Sequence, residues 1–211
     1  MSGLSLRYVA LGDSMGVGVG ARQGGYVEHL FQRLRRTREG VGLLNLCVSG
    51  ATSSTVLSGQ LPRAVRVRPH VATLAVGGND LWRGVPDSLF EENLERLARQ
   101  LVAAGATVVL ANVPDLTLAP VARMVPPWMY EGRVEALNAA VERVVARHGL
   151  LSVDLYTPSR AQLPHHPEYF SADGFHPSDA GYLFMAEHFW PTLLEAAQRA
   201  AASAETPRAT G

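Results

Sequence analysis

The chain has 211 residues and a mass of 22.7 kDa, a size that fits one domain with a well-buried core. Hydrophobic residues make up 47% of it and charged residues 18%, which excludes both an intrinsically disordered chain and a membrane-spanning bundle. Nineteen basic residues balance 19 acidic ones, so we expect no nucleic-acid partner and no stable membrane insertion.

Five short apolar runs, rich in Val and Leu, alternate with helical patterns along the chain. Continuous apolar runs of this length are typical of strands buried on both faces of a parallel sheet. The predicted strands cover residues 8–11, 43–48, 71–76, 107–111 and 150–154. Their alternation with helices predicts a doubly wound α/β sandwich.

Apolar residues recur at helical spacing in 87–104, in 131–148 and from about Asp179 onwards. Pro191 lies inside the last pattern, where its missing N–H should kink or interrupt a helix. The stretch 199–211 is rich in Ala and is expected to be a disordered tail, so the predicted domain covers residues 1–198.

Polar segments follow four of the predicted strands. Ligands of an open α/β sheet bind outside the carboxyl ends of its strands, so these segments should converge on one rim. The segments are Gly12-Asp13-Ser14, Ser49-Gly50, Gly77-Gly78-Asn79-Asp80 and Asp173-Gly174-Phe175-His176. Asp80 is expected to cap a turn and is given no chemical role.

Three of these residues suit a serine hydrolase. A serine such as Ser14 is a poor nucleophile unless a neutral imidazole takes its proton, and His176 could supply that imidazole. The imidazole in turn needs a carboxylate to hold its tautomer, and Asp173 lies three residues before it. Taken alone, Ser14 would suit a turn or a helix N-cap equally well.

The four segments resemble, in order, the four blocks of the SGNH (GDSL) hydrolase family, over about residues 8–190. The resemblance implies a flavodoxin-like three-layer α/β/α fold with a five-stranded parallel sheet, and ester hydrolysis without a metal or other cofactor. It implies that Ser14 is the nucleophile, His176 the general base and Asp173 the residue that orients it. The oxyanion hole would consist of the backbone N–H groups of Ser14 and Gly50 and the side-chain amide of Asn79.

Met15 departs from this pattern, because many relatives carry a hydroxyl or small residue there, and we expect it to reshape the floor of the pocket. The long connection 112–130 is apolar and rich in Pro and Met. It forms either a proline-stiffened flap or one wall of an acyl or aryl pocket. On the second interpretation, Met124 and Trp128 join Met15 as substrate-binding residues.

Two further motifs have competing interpretations. The stretch 16–21 matches the G-x-G-x-x-A variant of the dinucleotide fingerprint, but no acidic residue closes the second predicted strand to bind a ribose. We expect its glycines to let the loop after Ser14 pass close to a substrate. His165 and His166 could suggest a metal site, but adjacent histidines in a loop point in different directions, so a solvated loop is expected.

The sequence therefore predicts a serine esterase that hydrolyses small acyl esters or monoacylated lipids, its partner being a small-molecule ester. A carbohydrate deacetylase or a thioesterase could use the same site. A binding module with a degenerate site and a nucleotide-binding oxidoreductase are alternatives from other classes. Residues 1–6 show no export signal, although a start site placed too far downstream would hide one. With the single Cys47, this favours a cytoplasmic protein, and the oligomeric state stays open.

Overall fold

A five-stranded parallel sheet forms the centre of the computed structural model, which describes residues 5–126, 129–130 and 132–205. The strand order is β2-β1-β3-β4-β5. The strands are β1 (Leu6–Gly12), β2 (Val41–Asn45), β3 (Val71–Ala75), β4 (Thr107–Ala111) and β5 (Leu151–Val153). All five predicted strands are present, and the predicted α/β class is confirmed.

Helices cover both faces of this sheet. They are α1 (Ser14–Val17), α2 (Tyr26–Thr37), α3 (Ser53–Thr55), α4 (Leu61–Arg66), α5 (Gly78–Trp82), α6 (Asp87–Ala103), α7 (Arg133–His148), α8 (Tyr156–Gln162) and α9 (Asp179–Glu205). A π-helical turn, Val56–Gln60, joins α3 to α4. The bounds of α6 and α7 agree with the predicted helical patterns to within two residues.

The alternation of side chains along β1 separates two cores. Val9 and Leu11 face a core that includes residues of α4, α6 and α7, whereas Tyr8 and Ala10 face one that includes residues of α2 and α9. Successive residues of a strand point to opposite faces, so a buried strand between two helical layers is apolar at every position. This explains the continuous apolar runs and gives three layers.

The C-terminal helix differs from its prediction. Helix α9 continues past Pro191 without interruption and ends at Glu205, so it includes residues 199–205 of the stretch that was expected to be a tail. Residues 206–211 lie outside the described residues. Phe189 and Leu193, on either side of the proline, are fully buried against the sheet. This continuous apolar face stabilises the helix against the local cost of the proline.

Two glycines with nearly equal φ values test how closely the loop after α1 is packed. Gly18 and Gly105 have φ of 90° and 91°, where a side chain costs about 1–2 kcal/mol. A Cβ at Gly18 would lie 2.3 Å from the backbone nitrogen of Gly25, whereas a Cβ at Gly105 would contact nothing within 4 Å. The two positions therefore share a positive φ and differ in steric contact.

We expect Gly18→Ala to lower the free energy of unfolding by about 1–3 kcal/mol more than Gly105→Ala does, because the backbone at Gly25 must move. Urea denaturation followed by circular dichroism measures both variants. Equal losses of unfolding free energy in the two variants would show that the loop at Gly25 moves at little cost to make room for the added methyl group.

Candidate active site

Ser14 begins helix α1 directly beyond the end of β1. The Asp13 side chain caps this helix by accepting a hydrogen bond from the backbone N–H of Met15 at 3.0 Å. Only 5% of Ser14 is exposed. The tight passage from strand to helix thus presents the serine hydroxyl at the carboxyl edge of the sheet.

A buried glutamine that the sequence analysis missed holds the strand end before this turn. The Gly12 N–H donates to Oε1 of Gln60 at 2.9 Å, and Nε2 of Gln60 donates to the Gly12 carbonyl at 2.7 Å. Asn138 of α7 binds both backbone groups of Val113, beyond β4, in the same way, at 2.8 and 2.9 Å. The only signal in the sequence is one amide side chain within an apolar helical pattern.

His176 joins Ser14 to Asp173. Nε2 of His176 lies 3.0 Å from Oγ of Ser14, and Nδ1 lies 2.6 Å from Oδ2 of Asp173. The loop that carries both residues is closed by the Ser171 N–H, which donates to the His176 carbonyl at 2.8 Å. The structure therefore brings together the three residues that the sequence singled out.

The carboxylate of Asp173 fixes the tautomer of this imidazole. Partial burial raises the pKa of Asp173, but hydrogen bonds from the ring of His176, the N–H groups of Phe175 and His176, and the Ser171 hydroxyl together hold it well below its usual value. An ionised carboxylate can only accept, so Nδ1 of His176 must donate to it. Nε2 is then free to accept the proton of the Ser14 hydroxyl.

Gly50 and Asn79 lie on the two loops beside Ser14. Gly50 has φ of 77° and sits in a turn that the Ala51 N–H closes on the Val48 carbonyl at 3.1 Å. Asn79 of α5 donates one amide hydrogen to the Ala51 carbonyl at 3.0 Å and shares a pocket with Ser14 and His176. Within the described residues, the backbone N–H groups of Ser14 and Gly50 have no hydrogen-bond acceptor.

A second, apolar pocket adjoins the first. Met15, Leu116 and Phe175 line both, and the second extends towards β5 and α9. Its other apolar walls include Ala119, Leu155, Leu163, Phe170, Phe184 and Met185. The segment predicted as a pocket wall thus contributes through Leu116 and Ala119.

The structure does not bring Met124 to either pocket. Met124 ends a short 3₁₀ turn, Pro120–Met124, with 80% of its surface exposed, whereas Ala122 of the same turn is buried. Alternation of inward and outward positions in this turn is invisible to composition, which made every apolar residue of the segment a candidate. Trp128 lies outside the described residues.

The glycines after Ser14 pack against protein. A Cβ at Gly16 would lie 2.3 Å from Sγ of Cys47, and one at Gly20 would lie 2.7 Å from Oγ of Ser171. Close contact with the end of β2 and with the His176 loop therefore explains both glycines. Approach to a substrate is not needed to account for them.

The loop that contains His165 and His166 places His166 against its neighbours in the chain. Nδ1 of His166 lies 2.7 Å from Oε1 of Glu168, and its ring stacks on Tyr169 with ring centres 4.7 Å apart. Over the described ranges, no group of three or more His, Cys, Asp or Glu side chains could hold a metal ion. In the same part of the chain, no helix is both long and apolar enough to cross a membrane.

Residues 10–184 match the GDSL-like lipase/acylhydrolase family, and the chain belongs to that family of hydrolases. It is 26% identical over 186 residues to Esterase TesA of Pseudomonas aeruginosa, covering 88% of this chain and 86% of the relative. The crystal structure of TesA superimposes with a TM-score of 0.74, covering 89% of this chain and 97% of that one. Axe2, an acetylxylan esterase from Geobacillus stearothermophilus, shares the fold at 20% identity, with a TM-score of 0.75 and coverage of 90% and 95%.

Asp13, next to Ser14, is a buried acid with an altered proton affinity. Burial raises the pKa of Asp13 to about 6, although the Met15 N–H and the nearby His176 act in the opposite direction. A carboxyl group in the unfolded chain loses its proton near pH 4. Between these values the folded chain binds more protons than the unfolded chain, so stability falls as the pH rises through this window.

We expect Asp13→Asn to flatten this loss, which amounts to at most about 3 kcal/mol between pH 4 and pH 6. The asparagine oxygen can still accept from Met15, so the cap is retained. Urea denaturation at several pH values gives the free energy of unfolding of parent and variant. Curves that run parallel through this range would show that Asp13 is not the titrating group.

Proposed function

We propose that this protein is a serine esterase in which Ser14, His176 and Asp173 form a catalytic triad. The observation that carries the proposal is the continuous hydrogen-bond path from Oγ of Ser14 through both ring nitrogens of His176 to Asp173. Membership of the family and the similarity to an esterase support the same chemistry.

The reaction follows from the proton positions. His176 Nε2 accepts the hydroxyl proton as Oγ of Ser14 attacks the ester carbonyl carbon, which gives a tetrahedral intermediate with a negatively charged oxygen. Collapse of this intermediate breaks the bond to the alcohol, and the imidazolium returns the proton to the departing oxygen. A water molecule activated by His176 then attacks the acyl-enzyme, releasing the carboxylic acid and restoring Ser14. Asp173 stabilises the imidazolium in both halves.

The proposed oxyanion hole consists of the N–H groups of Ser14 and Gly50 and the second amide hydrogen of Asn79. Its support is the two backbone donors that lack an acceptor among the described residues, and an amide that lines the Ser14 pocket with one of its two hydrogens already fixed. Fixed neutral donors of this kind stabilise the charge that develops on the carbonyl oxygen.

The proposed substrates are esters with an apolar acyl group, such as small acyl esters or monoacylated lipids. The supporting feature is the apolar pocket beside that of Ser14, with Met15, Leu116 and Phe175 lining both. Aliphatic and aromatic walls favour a hydrocarbon chain over a sugar, whose hydroxyls would lose their hydrogen bonds to water. Thioesters of the same acyl groups would fit this pocket too, and a parallel assay of oxygen esters and thioesters separates the two.

Substitutions in the triad and the hole should cause graded losses. We expect Ser14→Ala or His176→Ala to lower kcat about a millionfold. Asp173→Asn should cost about ten-thousandfold because the tautomer is no longer fixed. Asn79→Ala removes one donor and should cost about a hundred- to a thousandfold in kcat with little change in KM. Turnover of p-nitrophenyl esters measures all four, with circular dichroism as the control for folding.

A fluorophosphonate probe separates an esterase from a binding module with a degenerate site. It should label the parent on Ser14 and leave Ser14→Ala unlabelled. A parent chain that neither labels nor turns over any ester would rule the esterase out. Activity that survives in Ser14→Ala would place the nucleophile elsewhere.

The apolar pocket should set the acyl preference. Ala119 is buried in its wall, so Ala119→Leu reduces the space available to the chain. We expect its kcat/KM to fall about tenfold or more for octanoyl esters relative to acetyl esters. Met124→Ala, on the exposed side of the same segment, is the matched control and should keep the parent profile. A changed profile in Met124→Ala, with none in Ala119→Leu, would place the acyl group on the outer surface.

A further inference from the structure

A buried carboxylate links the loop of Gly50 to the helix of Asn79. Asp80 follows Asn79 in α5 and is fully buried. The backbone N–H of Ser53 lies 3.1 and 2.9 Å from its two carboxylate oxygens, and the Ser53 hydroxyl donates to Oδ1 at 2.6 Å. Ser53 is three residues beyond Gly50 and is itself fully buried. Asp80 thus holds a residue of another loop through both a backbone and a side-chain donor.

Two further contacts complete this link. Nδ2 of Asn93, in α6, donates to the Ser53 hydroxyl at 3.0 Å, so a chain of hydrogen bonds runs from α6 through Ser53 to Asp80. Asn79 donates to the Ala51 carbonyl at 3.0 Å. Two consecutive residues of α5 therefore bind residues on the C-terminal side of Gly50.

Gly50 depends on such support. Its turn is closed on one side by the bond from the Ala51 N–H to the Val48 carbonyl, and its φ of 77° belongs to a region in which glycine moves freely. A donor in an oxyanion hole must be held to within about 0.5 Å to be effective. The bonds to Asp80 and Asn79 fix the backbone that follows Gly50 relative to α5.

We propose that Asp80, acting through Ser53, is a positioning residue. It keeps the Gly50 and Asn79 donors directed at the same oxyanion. This rests on the proposed esterase function, since it assigns a support to the proposed hole. Asp80 itself faces the protein, and it touches neither the reacting atoms nor the substrate.

The chemistry of the link requires an acid at position 80. Ser53 presents two donors, an N–H and an O–H, and a carboxylate offers two acceptor oxygens to match them. An asparagine would offer one oxygen and would turn its NH₂ group towards a donor. Burial raises the pKa of Asp80 above its usual value, and the Ser53 donors and the charge of Arg83 oppose that rise.

Ser53→Ala and Asp80→Asn test the proposal. If the link positions the hole, either variant should lower kcat for a p-nitrophenyl ester about ten- to a hundredfold while KM changes less than about twofold, since the oxyanion forms only in the transition state. Thr73→Val is the matched control, because Thr73 is also fully buried and bonds to the Tyr8 hydroxyl at 3.0 Å, inside the sheet. It should lose stability and keep its kcat.

A double variant distinguishes positioning from general stability. In an Asn79→Ala background the hole is already impaired, so adding Ser53→Ala should lower kcat by much less than it does in the parent. Full additivity, or a kcat of Ser53→Ala equal to that of Thr73→Val, would overturn the proposal. If Asp80→Asn fails to fold, Ser53→Ala and Asn93→Ala provide the same comparison.

Ser14→Ala separates this proposal from the proposed function. Loss of turnover in Ser14→Ala together with normal kcat in Ser53→Ala would overturn the positioning role and leave the esterase intact. Turnover that survives in Ser14→Ala would overturn the esterase mechanism and the proposed hole with it.

Discussion

Parallel pairing of β1 with both β2 and β3 is the constraint on which the site depends. Gly12 lies opposite Ala75 in this pairing. Its N–H and carbonyl hydrogen-bond to the side-chain amide of Gln60, which takes the place of the backbone of a neighbouring strand. Because all five strands run in one direction, the segments that follow them emerge at the same edge. Residues separated by 162 positions in the chain, Ser14 and His176, are neighbours for this reason.

Buried polar side chains connect these segments at the edge of the sheet. A loop that approaches a buried strand end would leave backbone groups without water, and each such group is costly. Amides satisfy a donor and an acceptor at once, as Gln60 does at Gly12 and Asn138 does at Val113. Where two donors converge, as at Ser53, the structure uses the carboxylate of Asp80. The polar groups thus hold the loops while the two apolar cores hold the layers.

The sequence predicted those parts whose signal is local. Apolar runs located the strands, although β2 begins two residues earlier than predicted, since Val41 is already buried against β1. Short polar motifs located Ser14 and His176. The sequence could not reveal partners that the fold brings together. Gln60, for example, binds the backbone of Gly12 from a π-helical turn. Nor could the sequence show which side of a short turn faces inward, and Met124 was selected for that reason.

The contact between α1 and the end of β2 has a consequence for how this enzyme responds to chemical modification. Cys47 is the single cysteine of the chain, and its thiol occupies the space beside Gly16 and Gly12. Burial raises the pKa of this thiol, which keeps it protonated and slow to react. An adduct that did form there would add bulk next to Gly16 in α1, the helix that Ser14 begins. A maleimide that reached Cys47 would therefore act on this hydrolase beside the proposed nucleophile without touching it, and the resulting inhibition would imitate a cysteine enzyme.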